Sequence, residues 1–291
     1  MTRDLLGSLS RWFGGAATRP EPAQATAGAP RIGRRATDAR TTGARLRDHR
    51  APDAPSSAAG DATESRFAVR AGLATDPGCI RTRNEDAIRF VQLGASEGSP
   101  DVEGVDGGAA GAGAATALLA VADGMGGHSG GELASRIAVQ VLEQRFRTGW
   151  SDVARELPAA LRAANRAVHD AAAREPALAG MGTTCTALVL RGAHAHCAHV
   201  GDSRLYLLRD GALYQLTEDH SAVMDLVRRR ALRVDAARHH PERNVILRAL
   251  GTRADVEVAT WAHPLLVHAD DRFLACSDGL HDLLDEAELL A

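Results

Sequence analysis

Three apolar runs in this sequence each hand an aspartate to a turn. Leu118-Leu119-Ala120-Val121-Ala122 leads to Asp123-Gly124, the run ending at Val200 leads to Gly201-Asp202-Ser203, and Phe273-Leu274-Ala275-Cys276 leads to Ser277-Asp278-Gly279. A fourth acidic pair, Glu85-Asp86, opens another apolar segment. Glycine lets the backbone approach a ligand closely, so Asp-Gly after a strand presents a carboxylate and nearby carbonyls to one point. Hard divalent cations are bound by such oxygens. Carboxylates gathered without counter-charge raise one another's pKa and destabilise the fold. A divalent cation relieves that repulsion, and an all-oxygen donor set favours Mg or Mn over Zn. Taken alone, Ala122 to Glu132 also reads as a plain strand-to-helix turn with Asp123 capping the helix. The recurrence of the design, together with Arg81 and Asn84-Glu85-Asp86, is harder to explain by turns.

The elements that must position these groups read as alternating strands and two amphipathic helices. Strands are predicted at Phe67–Ala74, Ala87–Leu93, a segment ending at Asp123, Thr184–Leu190, His194–Val200, Arg204–Arg209, Leu213–Thr217, Val245–Leu247, about Val256–Trp261 and Arg272–Cys276. Asp210-Gly211 is the two-residue turn favoured in hairpins. Ala134, Ile137, Val141 and Leu142 mark one helix by their spacing, and Leu157, Leu161, Ala164 and Val168 a second. An Arg-rich helical region is predicted from Val223 to His240. Gly94 to Ala114 reads as an exposed Gly/Ala/acidic insertion.

Residues 1–64 form an Arg/Ala/Pro-rich tail with too few apolar residues to offset chain entropy, and disorder is expected there. Leu5, Leu6, Leu9, Trp12 and Phe13 could share a helical face, and Arg34-Arg35-Ala36-Thr37 could be a phosphorylation site. The chain has 291 residues, 45% hydrophobic and 3% aromatic, and a formal charge of -3, which gives no reason to expect nucleic acid or a membrane surface as partner. All its basic residues are arginine. Cys79, Cys185, Cys197 and Cys276 form no CxxC pair, so buried free thiols in a reducing compartment are expected. Neither a signal peptide nor a transmembrane segment is visible, and the expected location is the cytoplasm.

From about Phe67 the chain resembles the metal-dependent protein phosphatases of the type 2C family in their bacterial form. The matching pieces occur in family order: Gly78-x-x-Arg81-x-x-Asn84-Glu85-Asp86, Ala122-Asp123-Gly124-Met125-Gly126-Gly127-His128-x-x-Gly131-Glu132, and Gly182-Thr183-Thr184. Gly201-Asp202-Ser203-Arg204, Thr217-x-Asp219-His220-Ser221, Arg248-Ala249-Leu250-Gly251 and Ser277-Asp278-Gly279-Leu280 complete the set. The resemblance implies an α+β fold over residues 65–291, a four-layer α-β-β-α sandwich of two antiparallel sheets flanked by helices. It implies two Mg or Mn ions bridged by a water that, as hydroxide, attacks phosphoserine or phosphothreonine in proteins. By the same carry-over Asp123 bridges both ions, Gly124 gives its carbonyl, and Asp278 binds one ion. Glu85 and Asp86 hold the metal edge or its waters, and Asp202 helps hold a third, weaker metal. Arg81 grips the substrate phosphate. His128 is the candidate to protonate the leaving alkoxide, and His220 with Ser221 positions a flap from about Ser221 to Pro241. The implied partners are phosphoprotein substrates and a cognate serine/threonine kinase. A nuclease on the same carboxylates would want a basic groove, and the residues around the motifs are neutral or acidic.

The family continues past Ser277-Asp278-Gly279-Leu280 through a helix to a Gly-x-Asp-Asn segment whose aspartate binds one metal. No such segment occurs before Ala291. The expectation is a C-terminally incomplete phosphatase lacking the last family strands, metal-weak and slow, with an unpaired sheet edge. The alternative is a pseudophosphatase that binds phosphoprotein or metal without turnover.

Overall fold

Period-two alternation along the central strands builds the larger sheet and gives it two apolar faces. The structure is a computed structural model describing residues 69–79, 81–93, 116–126 and 130–290. The expected tail, the Gly/Ala insertion and His128 lie outside the described residues. Strands β1 (Asp86–Leu93), β2 (Thr116–Met125), β4 (Cys185–Arg191), β5 (His194–Val200) and β8 (Ala259–Thr260) lie in that order. Short β3 (Gly182–Thr183) pairs with β2, and β9 (Leu265–Leu266) with β5. A second sheet has the order β10 (Arg272–Cys276), β6 (Arg204–Arg209), β7 (Ala212–Gln215). Every pairing is antiparallel.

One face of the large sheet meets two helices, α1 (Gly130–Arg147) and α2 (Val153–Arg174). Ala134, Ala138, Leu142 and Phe146 recur every fourth residue and are fully buried, which is the stripe a helix needs to cover a sheet. Ala138, Leu142 and Phe146 join Leu118, Ala120, Ala187, Val189, Ala198 and Val200 in one core, while Ala134 packs with Val168, Leu178 and Met181 in a smaller cluster. The in-between residues Leu188, Ala195 and Cys197 point the other way, to Leu205, Phe273 and Ala275 of the second sheet. The two sheets are therefore packed face to face. Four short α-helices, α3 (Ala222–Arg228), α4 (Val234–Ala237), α5 (Asp278–His281) and α6 (Glu286–Leu290), and a 3-10 turn at Pro176–Leu178 complete the described residues. Helix α6 packs on β7. No helix among the described residues is long and apolar enough to cross a membrane.

Several sequence expectations need correction. Residues 69–74 carry no strand, although Phe67–Ala74 has the composition of one. Strand β2 runs two residues beyond Asp123, because Gly124 and Met125 pair with Thr183 and Gly182. Asp123 is no helix cap, since it lies within β2. Val245–Leu247 contributes a single bridge, Ser221 to Ile246, instead of a strand. Cys79 is exposed, while Cys185, Cys197 and Cys276 are buried and free.

The loop after Leu250 is tied to α2 by one side chain. Buried Asn165 donates through Nδ2 to the Arg253 and Ala254 carbonyls at 3.0 and 2.9 Å, and its Oδ1 accepts from the Gly251 N–H at 2.8 Å. Asn165→Ala leaves three backbone groups without their partner, and is expected to cost about 2–3 kcal/mol of stability. Urea unfolding checks it, and a cost below about 0.5 kcal/mol would show the tie to be dispensable.

Candidate metal centre

The antiparallel register of β1 and β2 sets Asp86 directly opposite Asp123. Asp202 lies in the turn that carries the chain from β5 in the large sheet to β6 in the small one, and Asp278 follows β10 of the small sheet. Both sheets thus deliver carboxylates to the same end of the sandwich. Asp123 feels the charges of Asp86, Asp278 and Asp202. Ser277 Oγ donates to Asp86 Oδ2 at 2.8 Å. The backbone of Asp123 is clamped as well. Its N–H donates to Thr184 Oγ1 at 2.9 Å, and its carbonyl accepts from the Thr184 N–H at 2.8 Å and the Thr183 hydroxyl at 2.9 Å.

Glu85 and Arg81 border this group. The Glu85 carbonyl accepts from the Gly124 N–H at 3.0 Å, and Arg81 Nη1 donates to Glu85 Oε2 at 2.8 Å. A Cβ on Gly124 would collide with the Gly131 carbonyl at the start of α1, so only glycine lets strand and helix meet there. Gly201, at φ 112°, faces the Thr184 side chain, where a Cβ would come within 2.5 Å. His220 is stacked on His199, ring centroids 4.8 Å apart, and accepts the Gly201 N–H at Nδ1. Ser221 caps α3, its Oγ accepting from the Met224 N–H.

Electrostatically the group is strained toward neutrality. Burial first, then the charges of Asp86 and Asp278, push Asp123 up to about 8. Burial with Asp278 and Asp219 pushes Asp202 up to about 7. Burial also raises Asp86, against the lowering effect of the Ser277 hydroxyl. Carboxyl groups of the unfolded chain titrate near 4. Between that pH and the folded values the fold binds protons the unfolded chain has lost, so stability falls as pH rises. Histidine works the other way. Burial lowers His199 to about 4 and His220 to about 3, so their contribution grows as pH rises and is complete above about 6.5. The metal-free protein is therefore expected to lose about 1–3 kcal/mol between pH 6.5 and 8, from the carboxylates alone. Urea unfolding with a chelator present checks this, and a flat or rising profile would contradict it.

The donor set is all oxygen and over-rich in negative charge, which fits a hard divalent cation such as Mg or Mn. Among the described residues no three His, Cys, Asp or Glu side chains already close on one point.

Two further residues belong to the setting, and motif reading gives their pairing no role. Arg204 grips buried Asp219 with Nε at 2.9 and 3.1 Å and Nη2 at 2.6 Å, and Gln215 Nε2 donates to the same carboxylate at 3.2 Å. Both lie in family motifs, Gly201-Asp202-Ser203-Arg204 and Thr217-x-Asp219-His220-Ser221, so their charges are visible in the sequence but their contact is not.

The family model described as Protein phosphatase 2C matches residues 106–291. The serine/threonine protein phosphatase PstP of Mycobacterium tuberculosis is 37% identical over 226 residues, covering 77% of this chain and 38% of that protein. The serine/threonine phosphatase stp of Listeria innocua is 39% identical over 177 residues, covering 59% of this chain and 69% of its own length. This chain spans well under half the length of the mycobacterial relative. Among solved structures, the crystal structure of the Mycobacterium tuberculosis phosphatase PstP/Ppp superposes with a TM-score of 0.60 at 36% identity, over 77% of this chain and 83% of that one. The catalytic domain of PstP in complex with two manganese ions gives 0.58 at 34% identity, over 77% and 82%.

Proposed function

The chain belongs to the protein phosphatase 2C family, and from that premise we propose that it hydrolyses phosphoserine and phosphothreonine in proteins with the help of Mg or Mn. The observation that carries this reading is the meeting of Asp86, Asp123, Asp202 and Asp278 at one end of the sandwich. Two cations would be held by Asp123, Asp278 and the Gly124 carbonyl, with Glu85 and Asp86 at their edge and Asp202 serving a third. When bound, such cations neutralise phosphoester charge and lower the pKa of water toward neutrality. Arg81 keeps its guanidinium largely exposed beside Glu85, and its planar N–H pair clamps two phosphate oxygens. His128, outside the described residues, gives the leaving oxygen its proton in this reading. His220 and Ser221 hold the base of the flap. A serine/threonine kinase writes the marks this protein removes, and four cysteines without a disulfide suit a reducing, cytoplasmic setting.

Hydrolysis of p-nitrophenyl phosphate and of a phosphothreonine peptide, with Mn²⁺ or with a chelator, tests the proposal. Mn-dependent release of phosphate from both is expected. Phosphopeptide or Mn binding with no turnover would favour a pseudophosphatase, and turnover untouched by the chelator would remove the metal from the account.

A further inference from the structure

A buried line of polar contacts runs from the backbone of Asp123 to the start of the segment Ser221–Pro241. Thr184 Oγ1, which accepts the Asp123 N–H, lies 2.7 Å from Ser203 Oγ. The Ser203 carbonyl accepts from Thr186 Oγ1 at 2.8 Å, and that same hydroxyl lies 2.8 Å from His199 Nδ1. Thr184, Thr186 and Ser203 are fully buried, and His199 is 2% exposed. On its far edge His199 Nε2 meets the Glu218 carbonyl at 3.2 Å. A carbonyl can only accept, so in the neutral ring Nε2 carries the proton, and Thr186 shares its single hydroxyl proton between Nδ1 and the Ser203 carbonyl. The face of His199 stacks on His220 at 27°.

His220 ties the segment down where it begins. Its N–H donates to the Gly201 carbonyl at 2.8 Å, and its own carbonyl accepts from the Leu247 N–H at 2.7 Å. Next to it the Ala222 N–H donates to the Val245 carbonyl at 2.8 Å. The first bond holds the start of the segment to the Asp202 turn, and the other two tie the chain after the segment back to that start. Every polar group in the line depends on its neighbour for satisfaction, because so buried a path leaves each without solvent as a substitute partner. Packing alone gives little reason to bury a histidine and three hydroxyls at this end of the sheet. Leu188, one position from Ala187 on β4, shows what ordinary packing uses instead.

We propose that His199 is a positioning residue that couples the seating of Ser221–Pro241 to the placement of Asp123. The inference rests on Asp123 being a cation ligand. If the two are coupled, cation binding at Asp123 stabilises the seated segment, and the seated segment raises cation affinity by the same factor.

The segment carries its own reporter, since Arg228 and Arg229 have side chains 58% and 72% exposed. Limited trypsin cleavage after Arg228–Arg230 of the full chain, followed by mass spectrometry, reads its seating, while calorimetry reads Mn²⁺ affinity. In the unsubstituted protein, saturating Mn²⁺ is expected to slow this cleavage about fivefold or more. In His199→Phe, which keeps the stacked ring and loses both ring hydrogen bonds, the ratio is expected to fall below about twofold, with Mn²⁺ bound about fivefold more weakly. His199→Gln, whose amide can donate to Glu218 and accept from Thr186, is expected to restore most of the effect. Should the Phe variant fail to fold, Thr186→Val interrupts the same line. A lower melting temperature in His199→Phe with the Mn²⁺-dependent ratio intact would show a merely structural role and overturn the proposal. So would Mn²⁺ binding without any protection in the unsubstituted protein. Absence of Mn²⁺ binding there would overturn the cation-site reading itself, and the coupling with it.

Discussion

Asp123→Asn is expected to abolish Mn-dependent phosphatase activity while making the metal-free protein more stable at pH 8. The two effects come from one carboxylate. Asp123 is half-buried and feels the charges of Asp86 and Asp278, and its carboxyl is pushed up to about 8. An amide there removes a charge that the metal-free fold tolerates badly, and stability should rise by about 1–2 kcal/mol at pH 8. The same change deprives the cations of a shared ligand. Losing several kcal/mol of charge stabilisation lowers turnover by at least about a thousandfold, at 1.36 kcal/mol per tenfold. Chelated-state melting and kcat with Mn²⁺ check the two halves separately. A destabilised variant that retained turnover would contradict both.

The second large effect concerns Asp219→Ala. Removing this carboxylate strands the Arg204 guanidinium, 18% exposed, which has three contacts to it at 2.6 to 3.1 Å. Breaking one side of a buried pair costs about 3–5 kcal/mol, because the partner's charge is left without compensation. For a domain of this size that corresponds to a fall of roughly 10 °C in melting temperature. Arg204→Met with Asp219→Leu should recover much of the loss, since apolar packing often replaces a buried pair at little cost. A change of under about 3 °C in Asp219→Ala would mean that the pair holds nothing together.

How legible is this molecule in its sequence? Strands with strict alternation between two apolar faces are legible to the residue: His194–Val200, Arg204–Arg209 and Arg272–Cys276 are β5, β6 and β10. The Asp210-Gly211 turn is legible because two successive positive φ values, 53° and 72°, favour this dipeptide. Phe67–Ala74 misleads because composition alone cannot supply a pairing partner. Asp123 reads as the end of its strand because glycine comes after it, but Thr183 offers a ladder partner that no local pattern announces. At the site, the aspartates stand out as Asp at strand ends. The groups that hold them do not. Thr186 looks like an ordinary strand residue, and although Thr184, Ser203 and Ser277 lie in family motifs, only the folded sheets make partners of residues as far apart as Asp86 and Ser277. Arg204 and Asp219 are legible as charges, and their mutual distance is not.

The central claim is that carboxylates from both sheets form a cation site, and Mn²⁺ titration by calorimetry tests it most directly. Run near pH 7 in two buffers of different ionisation enthalpy, it also counts protons. Because Asp123 titrates near 8 without metal, binding should release up to about one proton per chain, and Asp123→Asn should lose both the proton and most of the affinity. Absence of binding, or binding of equal strength without proton release in both proteins, would contradict the account.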